Sequence, residues 1–292
     1  MGKAHVYGFA MAQKVFDLPF DIELHMIADV TEAGAAAAAR AFGFAHHTTD
    51  WRSIVADPLV DVIDITAPNA LHKEMALAAT QAGKHVYCEK PLAPLAADAR
   101  QMAEAAEAAG IKTQVGFNYL CNPMLALARE MIRSGELREI RGYRGLHAED
   151  YMADSAGVYG FRHDPAGGGA LADIGSRALA TAEFLCGPIS RVTGDLVTLS
   201  GERPDGKGGR KAVRVDDVGR AFFRFENGAT GSVEGNWIAN GRKMQHDFEV
   251  CGTKGALAFS QERFNELHYF STSDAKGRQR FRRIEAGPDH VP

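Results

Sequence analysis

The residues best placed to do chemistry are Glu89 and Lys90, which with Pro91 close the short apolar stretch His85-Val86-Tyr87-Cys88 after a turn at Ala82-Gly83. At the carboxyl end of a strand in an open parallel sheet, an ammonium group is delivered to the mouth of a cleft, where ligands bind. An isolated Glu-Lys-Pro triplet is more simply a solvated ion pair at the end of an ordinary strand. A second strand-end motif, Thr66-Ala67-Pro68-Asn69-Ala70-Leu71-His72, lies upstream at the distance one βαβ unit requires, and the two together favour chemistry.

The pair resembles the Gfo/Idh/MocA family of nicotinamide-dependent sugar and inositol oxidoreductases, whose strand ends read T-x-P-N-x-x-H and E-K-P. The resemblance covers nearly the whole chain. Met1-Gly2-Lys3-Ala4-His5 and Thr49-Asp50-Trp51-Arg52-Ser53-Ile54 are most similar to the inositol and levoglucosan dehydrogenase branches. It implies that Thr66, Pro68, Asn69, His72, Glu89 and Lys90 pack against the nicotinamide end of the cofactor. It also implies a cis peptide between Lys90 and Pro91, at a cost of about 0.5–1 kcal/mol.

Downstream, Gly167-Gly168-Gly169 introduces a helix, Ala170 to Cys186, that carries Asp173-Ile174-Gly175-Ser176-Arg177, similar to the family's D-x-G-x-H segment. Residues four apart share a helix face, so Asp173 and Arg177 are expected to point into one cleft opposite Lys90, with an Asp-Arg i,i+4 pair as the plainer alternative. In the family the lysine polarises the reacting hydroxyl, the aspartate orients the substrate, and the histidine takes the hydroxyl proton as hydride leaves. Here the histidine's position is Arg177, and a guanidinium stays protonated and cannot be that base. The acid the family often carries three residues later is Ala180. Three readings follow: an NAD-dependent polyol or sugar dehydrogenase with an altered base, a silent cofactor- or sugar-binding homologue, and an NAD-dependent glycosidase or isomerase. If Arg177 faces Lys90, like charges disfavour the ammonium and Lys90 itself becomes the candidate base.

The chain opens into a helical pattern at Gly2, which matches the third glycine of a Rossmann G-x-G-x-x-G. The first strand and first two glycines lie outside this sequence, and the family continues beyond Pro292, so truncation at both ends is expected. Phe20 to Val30 reads as a strand ending in Asp29. An acid there accepts hydrogen bonds from the adenosine ribose and repels a 2′-phosphate, which predicts NAD rather than NADP. Asp29 is equally placed to cap the helix Thr31 to Phe42. Trp51 to Ala56 reads as a short helix and Val60 to Thr66 as a strand buried on both faces. Pro94 to Ala109 is a helix closed by Gly110, and Lys112 to Phe117 a strand.

This alternation predicts a doubly wound parallel Rossmann domain over residues 1–117. Residues 118–292 are expected to form an α+β domain for substrate binding and oligomerisation. Asn118 and Tyr119, at a strand's carboxyl end, and Arg162, in a polar aromatic loop with Asp150, Tyr151, Tyr159 and His163, are its candidate substrate contacts. The three glycines serve close backbone packing. Period-two patterns from Ile189 onward predict a large open, mostly antiparallel sheet, with a hairpin turn at Asn227-Gly228 and a mobile excursion over Gly201 to Arg210. One face covers the catalytic helix, and the resemblance makes the other a homodimer or homotetramer interface.

The 292 residues are 46% apolar, enough for two cores. With 33 basic against 37 acidic side chains there is no basic stripe for nucleic acid and no polybasic membrane patch. The four cysteines show no metal or redox spacing, so no metal is expected and buried free thiols are. No apolar run approaches the ~20 residues of a membrane span. A cytoplasmic protein acting on a small polyol or sugar is the expectation.

Overall fold

The structure, a computed structural model, describes residues 1–290. Contacts divide the chain into two compact units, Met1–Gly116 and Phe117–Pro292. No described helix is long and apolar enough to cross a membrane.

The first unit alternates helix and strand: α1 (Gly2–Val15), β1 (Met26–Ala28), α2 (Glu32–Phe42), β2 (His46–Thr48), α3 (Trp51–Ala56), β3 (Val62–Ile65), α4 (His72–Gln81), β4 (His85–Cys88), α5 (Ala96–Ala109) and β5 (Thr113–Val115). Every pairing is parallel, with β1 on β2 and the order β3-β4-β5 in a second sheet. Polar caps and glycines set the helix ends. Thr31 Oγ1 accepts from the Gly34 N–H at the start of α2, Asp50 accepts from the Arg52 N–H at the start of α3, and Gly43 and Gly110 end α2 and α5 in the left-handed conformation. Small residues of α4, Ala76 and Ala79, pack with Ile65, Val86, Cys88 and Met102 as the core. The strands are shorter than their apolar runs because Phe20 to His25 and Val60 to Asp61 lie outside the ladders, and β2, a polar His-His-Thr strand, was not foreseen. The helix cap at residue 31 is the threonine, while Asp29 accepts from the Thr31 N–H.

The second unit contains α6 (Pro123–Arg133), β6 (Ile140–Ala148), α7 (Ser176–Cys186), β7 (Ile189–Val197), β8 (Glu202–Pro204), β9 (Arg210–Ala212), β10 (Val218–Phe225), β11 (Thr230–Asn236), β12 (Gln245–Gly252), β13 (Gly255–Ser260), β14 (Glu266–Ser271) and β15 (Arg282–Glu285). Its eight-stranded sheet runs β15-β14-β13-β12-β6-β11-β10-β7, parallel at β6–β11 and antiparallel elsewhere, as the period-two patterns predict. Along β10 the residues Val218, Ala221, Phe223 and Phe225 are buried while Arg220, Phe222 and Arg224 face out. The inner face packs α6 and α7 through Met124, Leu125, Ala128, Ala178, Ala182 and Leu185. Asn227-Gly228 turns β10 into β11 with Gly228 at φ +87°.

Gly201 to Arg210 is not an excursion but most of a hairpin of β8 and β9. The buried Arg203 guanidinium, 1% exposed, donates to the Met152 and Asp154 carbonyls and pins the hairpin to the preceding loop. Of the cysteines, Cys88 and Cys186 are buried as expected, but Cys121 is exposed and Cys251 half-buried. The three glycines pack closely: a Cβ on Gly167 would lie 2.3 Å from the Phe161 oxygen, and one on Gly169 2.2 Å from Asp216 Oδ1.

The expected helix over 170–186 is broken at its start. Leu171–Gly175 is a π-turn, and α7 proper begins at Ser176. Wide turns of this kind re-aim side chains. A Cβ on Gly235 of β11 would lie 2.9 Å from the Gly175 Cα and 3.0 Å from its nitrogen, so the sheet approaches the turn that carries Asp173 backbone to backbone. Gly235→Ala is therefore expected to destabilise the protein by about 1–3 kcal/mol through overpacking. Gly142→Ala, whose Cβ meets nothing closer than 3.9 Å, is the control and is expected to gain about 0.5 kcal/mol. Urea midpoints of the two variants decide; equal midpoints would show that the approach at Gly175 is not tight.

Candidate active site

In the first unit the predicted groups gather at the carboxyl ends of β3 and β4. The register pairs Asp64 with Tyr87 and Ile65 with Cys88, so Glu89 and Lys90 emerge beside Thr66. Glu89 is 5% exposed, and a buried carboxylate needs partners. Its Oε2 accepts from the Lys90 N–H at 3.0 Å, and its Oε1 lies 2.9 Å from His5 Nε2. The other ring nitrogen, His5 Nδ1, is 2.9 Å from Asp64 Oδ1, and the ring stacks on Tyr87. The Asp64 hydrogen bond first, and the Glu89 bond second, raise the His5 pKa to about 9. Burial pushes the Glu89 carboxyl up, but the bonds from His5 and the Lys90 N–H outweigh it and leave the pKa lowered. His5 is thus an imidazolium between two carboxylates. It was missed as a site residue, and the signal available was its place one turn after Gly2.

Lys90 itself is buried at 9% exposure, and the Lys90–Pro91 bond is cis, as the resemblance implied. Gly116 lies against this corner, where a Cβ would come within 3.1 Å of Glu89 Oε1.

Pro68 does not open α4 directly. A 3₁₀ turn, Asn69–Leu71, intervenes, and α4 begins at His72. His72, which the resemblance sets against the nicotinamide end of the cofactor, is fully buried. Its Nδ1 lies 3.0 Å from the Pro91 carbonyl and its Nε2 2.9 Å from that of Ala67. It is a strut joining the two strand-end motifs. Asn69 and Thr66 are partly accessible and Pro68 is exposed.

Asp29 is exposed just beyond β1, and its carboxylate reaches over the start of α2, where a Cβ on Gly34 would lie 2.8 Å from Asp29 Oδ1. Gly2 opens α1 beside Thr66, with a would-be Cβ 3.3 Å from Thr66 Oγ1. A helix start free of side chain and an exposed acid at the next strand end are the donor and acceptor set that a dinucleotide's phosphate and ribose require, so the residues present fit such a cofactor.

In the second unit Asp173 anchors the cluster. Its Oδ2 accepts from Tyr151 Oη at 2.7 Å and from Arg162 Nε at 2.8 Å. Burial, first, and the Asp173 carboxylate raise the Tyr151 pKa far above the ordinary phenol range, so the phenol stays a donor. The i,i+4 contact of Asp173 with Arg177, the plainer alternative, is made by the backbone: Arg177 Nη1 donates to the Asp173 backbone carbonyl at 3.1 Å. The π-turn explains the change, because it displaces the two side chains from simple α-helical spacing. Arg177 instead lies over the Tyr119 ring, 5.3 Å from its centroid. Asn118 is exposed at the start of the 3₁₀ turn Asn118–Cys121, and Tyr119 donates to Met244 Sδ at 3.0 Å. Tyr151 is a site contact that sequence reasoning placed only in a loop. Among the described residues no cluster of three side chains is arranged to hold a metal ion.

A parallel α/β unit with a buried Glu-Lys corner, joined in one chain to a large open sheet carrying an Arg-clamped aspartate, defines a nicotinamide-dependent oxidoreductase of two-unit design. Comparison with known proteins agrees. Residues 1–117 match the oxidoreductase family with an NAD-binding Rossmann fold, and residues 125–258 match the GFO/IDH/MocA C-terminal domain. Levoglucosan dehydrogenase of Pseudarthrobacter phenanthrenivorans is 40% identical over 99% of this chain and 78% of its own length. The 1,5-anhydro-D-fructose reductase of Ensifer adhaerens is 32% identical over 80% of this chain and 66% of its own. Among solved structures, levoglucosan dehydrogenase in complex with NADH and L-sorbose superposes with a TM-score of 0.96 at 40% identity, covering 99% of this chain and 78% of that one. The chain belongs to the Gfo/Idh/MocA family of oxidoreductases, among its NAD-dependent sugar and polyol dehydrogenases.

The His5 contacts predict a pH signature in stability. A histidine whose folded pKa lies above its unfolded value of about 6.5 contributes stability in full below that value and loses it as pH rises through the folded pKa of about 9. The lowered Glu89 pKa acts at the other end, stabilising above the ordinary carboxylate value of 4.5 and failing as pH falls through its folded value. Thermal melts are expected to show Tm falling between about pH 6.5 and about pH 9, with the fall flattened in His5→Gln. An identical decline in the variant would remove His5 from this role.

Proposed function

We propose that the protein oxidises a hydroxyl of a cyclic polyol or sugar with NAD as hydride acceptor. The observation that carries this reading is the Glu89–Lys90 corner, a lysine delivered at a parallel strand end on a backbone held by a buried, ion-paired carboxylate. In this reading Lys90 hydrogen-bonds the reacting hydroxyl, Asp173 orients the substrate, and Arg162 with Tyr151 holds the Asp173 carboxylate aimed. Gly2 and the first turn of α1 take the pyrophosphate, Asp29 the adenosine ribose, and Thr66, Pro68 and Asn69 line the nicotinamide end. Asn118 and Tyr119 contact the substrate.

NAD, when bound, supplies the carbon that accepts the hydride. The hydroxyl proton must leave at the same time, and Arg177 cannot take it. Lys90 is the amine that can both bond the hydroxyl oxygen and, in its neutral form, accept that proton. Arg177 then holds a substrate oxygen. Its hydrogen bond to the Asp173 carbonyl and its stacking on Tyr119 support a fixed, substrate-facing guanidinium. The same contacts are what a silent homologue would display, and turnover separates the two.

The exposed Phe222 on the outer face of β10, opposite Thr193 of β7, supports a homo-oligomer formed through the sheet. Four free thiols support a cytoplasmic setting.

Following reduced-nicotinamide absorbance with NAD and a panel of cyclic polyols and sugars tests the proposal. Lys90→Met is expected to lower kcat by about 10²-fold or more, and Arg177→His to keep activity with its pH profile moved toward the histidine range. No turnover by the unmodified protein, with activity appearing in Arg177→His, would identify a silent homologue. Full activity in Lys90→Met would place the chemistry elsewhere.

Cofactor choice is tested separately by titration. NAD is expected to bind at least about tenfold more tightly than NADP, a difference of about 1.4 kcal/mol, and Asp29→Ser to shrink the gap. Equal affinities in the unmodified protein would defeat the assignment of Asp29.

A further inference from the structure

Arg177 is half-buried, and among the described residues no carboxylate pairs with its guanidinium. Its one hydrogen bond runs from Nη1 to the Asp173 carbonyl, a neutral acceptor at 3.1 Å, and its Cζ lies over the Tyr119 ring at 5.3 Å from the centroid. Nε and Nη2 bond no protein atom and are open to solvent. The acids of this corner are engaged by other groups. Asp173 Oδ2 takes Tyr151 Oη and Arg162 Nε, Glu149 Oε1 lies 2.8 Å from His147 Nε2, and Asp150 takes Lys243 Nζ and the Gly241 N–H. Two guanidinium groups therefore meet at Asp173, and only that of Arg162 bonds its carboxylate.

A cation partly withdrawn from water is most stable beside a counter-charge, and a planar fork of N–H donors matches the two oxygens of a carboxylate. A phosphate would look instead to the N–H groups at the start of the helix after the three glycines. Those are taken. The Ala170 N–H donates to the Asp216 carbonyl at 2.9 Å and the Leu171 N–H to Asp216 Oδ2 at 2.7 Å, while a Cβ on Gly169 would come within 2.2 Å of Asp216 Oδ1. The protein's own acid fills that position, and the open fork of Arg177 is left as the place for an anion.

We infer that Arg177 binds a carboxylate borne by the substrate, so that the protein acts on sugar acids, the aldonates and uronates, in preference to neutral sugars. The binding stands on the surroundings of Arg177 alone, whereas turnover of such a compound rests on the hydroxyl-oxidation reading. The carboxylate is a spectator in that step: the electron pair of the C–H bond goes to NAD, the hydroxyl proton to a base, and a C=O bond forms with the carboxylate unchanged. Position 177 then has a reason to carry a charge that a titrating histidine would lose near neutral pH.

Isothermal titration of the full chain, alone and saturated with NADH, compares the uronates and aldonates of the gluco and galacto series with the matching uronamides, sugars and alditols. The carboxylates are expected to bind at least about tenfold more tightly than their neutral counterparts, the size of one charge-assisted hydrogen bond. Arg177→Gln is expected to reduce that ratio below about threefold, and Arg177→Lys, which keeps the charge without the fork, to an intermediate value. The uronamide arm reads the ligand's charge on the unmodified protein, so the test does not depend on a variant that folds. Equal binding of acid and amide, a ratio unmoved by Arg177→Gln, or no binding of either would overturn the inference. Tighter binding of the sugar phosphates of the same series would overturn the choice of carboxylate. Reduced-nicotinamide absorbance separates this site from the reaction: acid-selective binding without turnover removes the oxidation reading and leaves the site, while turnover of neutral polyols with no preference for acids removes the carboxylate and leaves the oxidation.

Discussion

A carboxylate taken out of water must be given charge or hydrogen bonds in return, and Glu89 is the point at which the first unit meets that demand. It lies at the end of β4, where the chain turns through a cis peptide into Pro91, and its oxygens are taken by the Lys90 N–H and by His5. His5 reaches it because α1 crosses the ends of β3 and β4, and the imidazolium is held on its other side by Asp64. The position of Lys90 therefore depends on a helix at the start of the chain and on an acid from the neighbouring strand. His72 adds a second tie, with one ring nitrogen against each of the two strand-end segments.

The second unit solves a related problem with backbone geometry. Asp173 sits in a π-turn pressed against β11 at Gly175 and Gly235, where neither chain has room for a side chain. The wide turn lets the carboxylate face Arg162 and Tyr151 from the loop while Arg177 turns to the backbone and to Tyr119. The loop is itself fixed from behind by the buried Arg203. Thus each acid that the proposed chemistry uses is held by a cation from a different element, and its orientation is decided by the fold.

Replacing a titratable histidine by arginine at position 177 changes where a proton can go without changing the sign of the charge when the histidine is protonated. A guanidinium keeps its protons and offers a planar set of donors, which suits it to gripping an oxygen and not to relaying a proton. Two of this unit's histidines lie one layer deeper, the buried His147–His246 pair, which packs against Tyr119 and is joined to the helix by Thr181.

The sequence by itself determined the alternation of elements, the large open sheet and the two strand-end motifs, because apolar period, glycine and proline act over a few residues. It also placed Glu89 and Lys90 at a strand end and Asp173 near the start of a helix. What decided their partners was contact across long separations: His5 meets Asp64 and Glu89 from 59 and 84 residues away, and His147 meets His246 from 99. Local spacing allowed an i,i+4 pair of Asp173 with Arg177 and left the partners of His72 open. The π-turn and burial decided both, giving Asp173 to Arg162 and placing His72 between two carbonyls. The apparently mobile Gly201–Arg210 stretch likewise became a pinned hairpin, because one buried guanidinium found two carbonyls that no periodicity in the chain announces. Side-chain type and spacing determine which groups stand ready at the end of an element; only the packing of elements remote in sequence determines which of them lose water, and hence which must find each other.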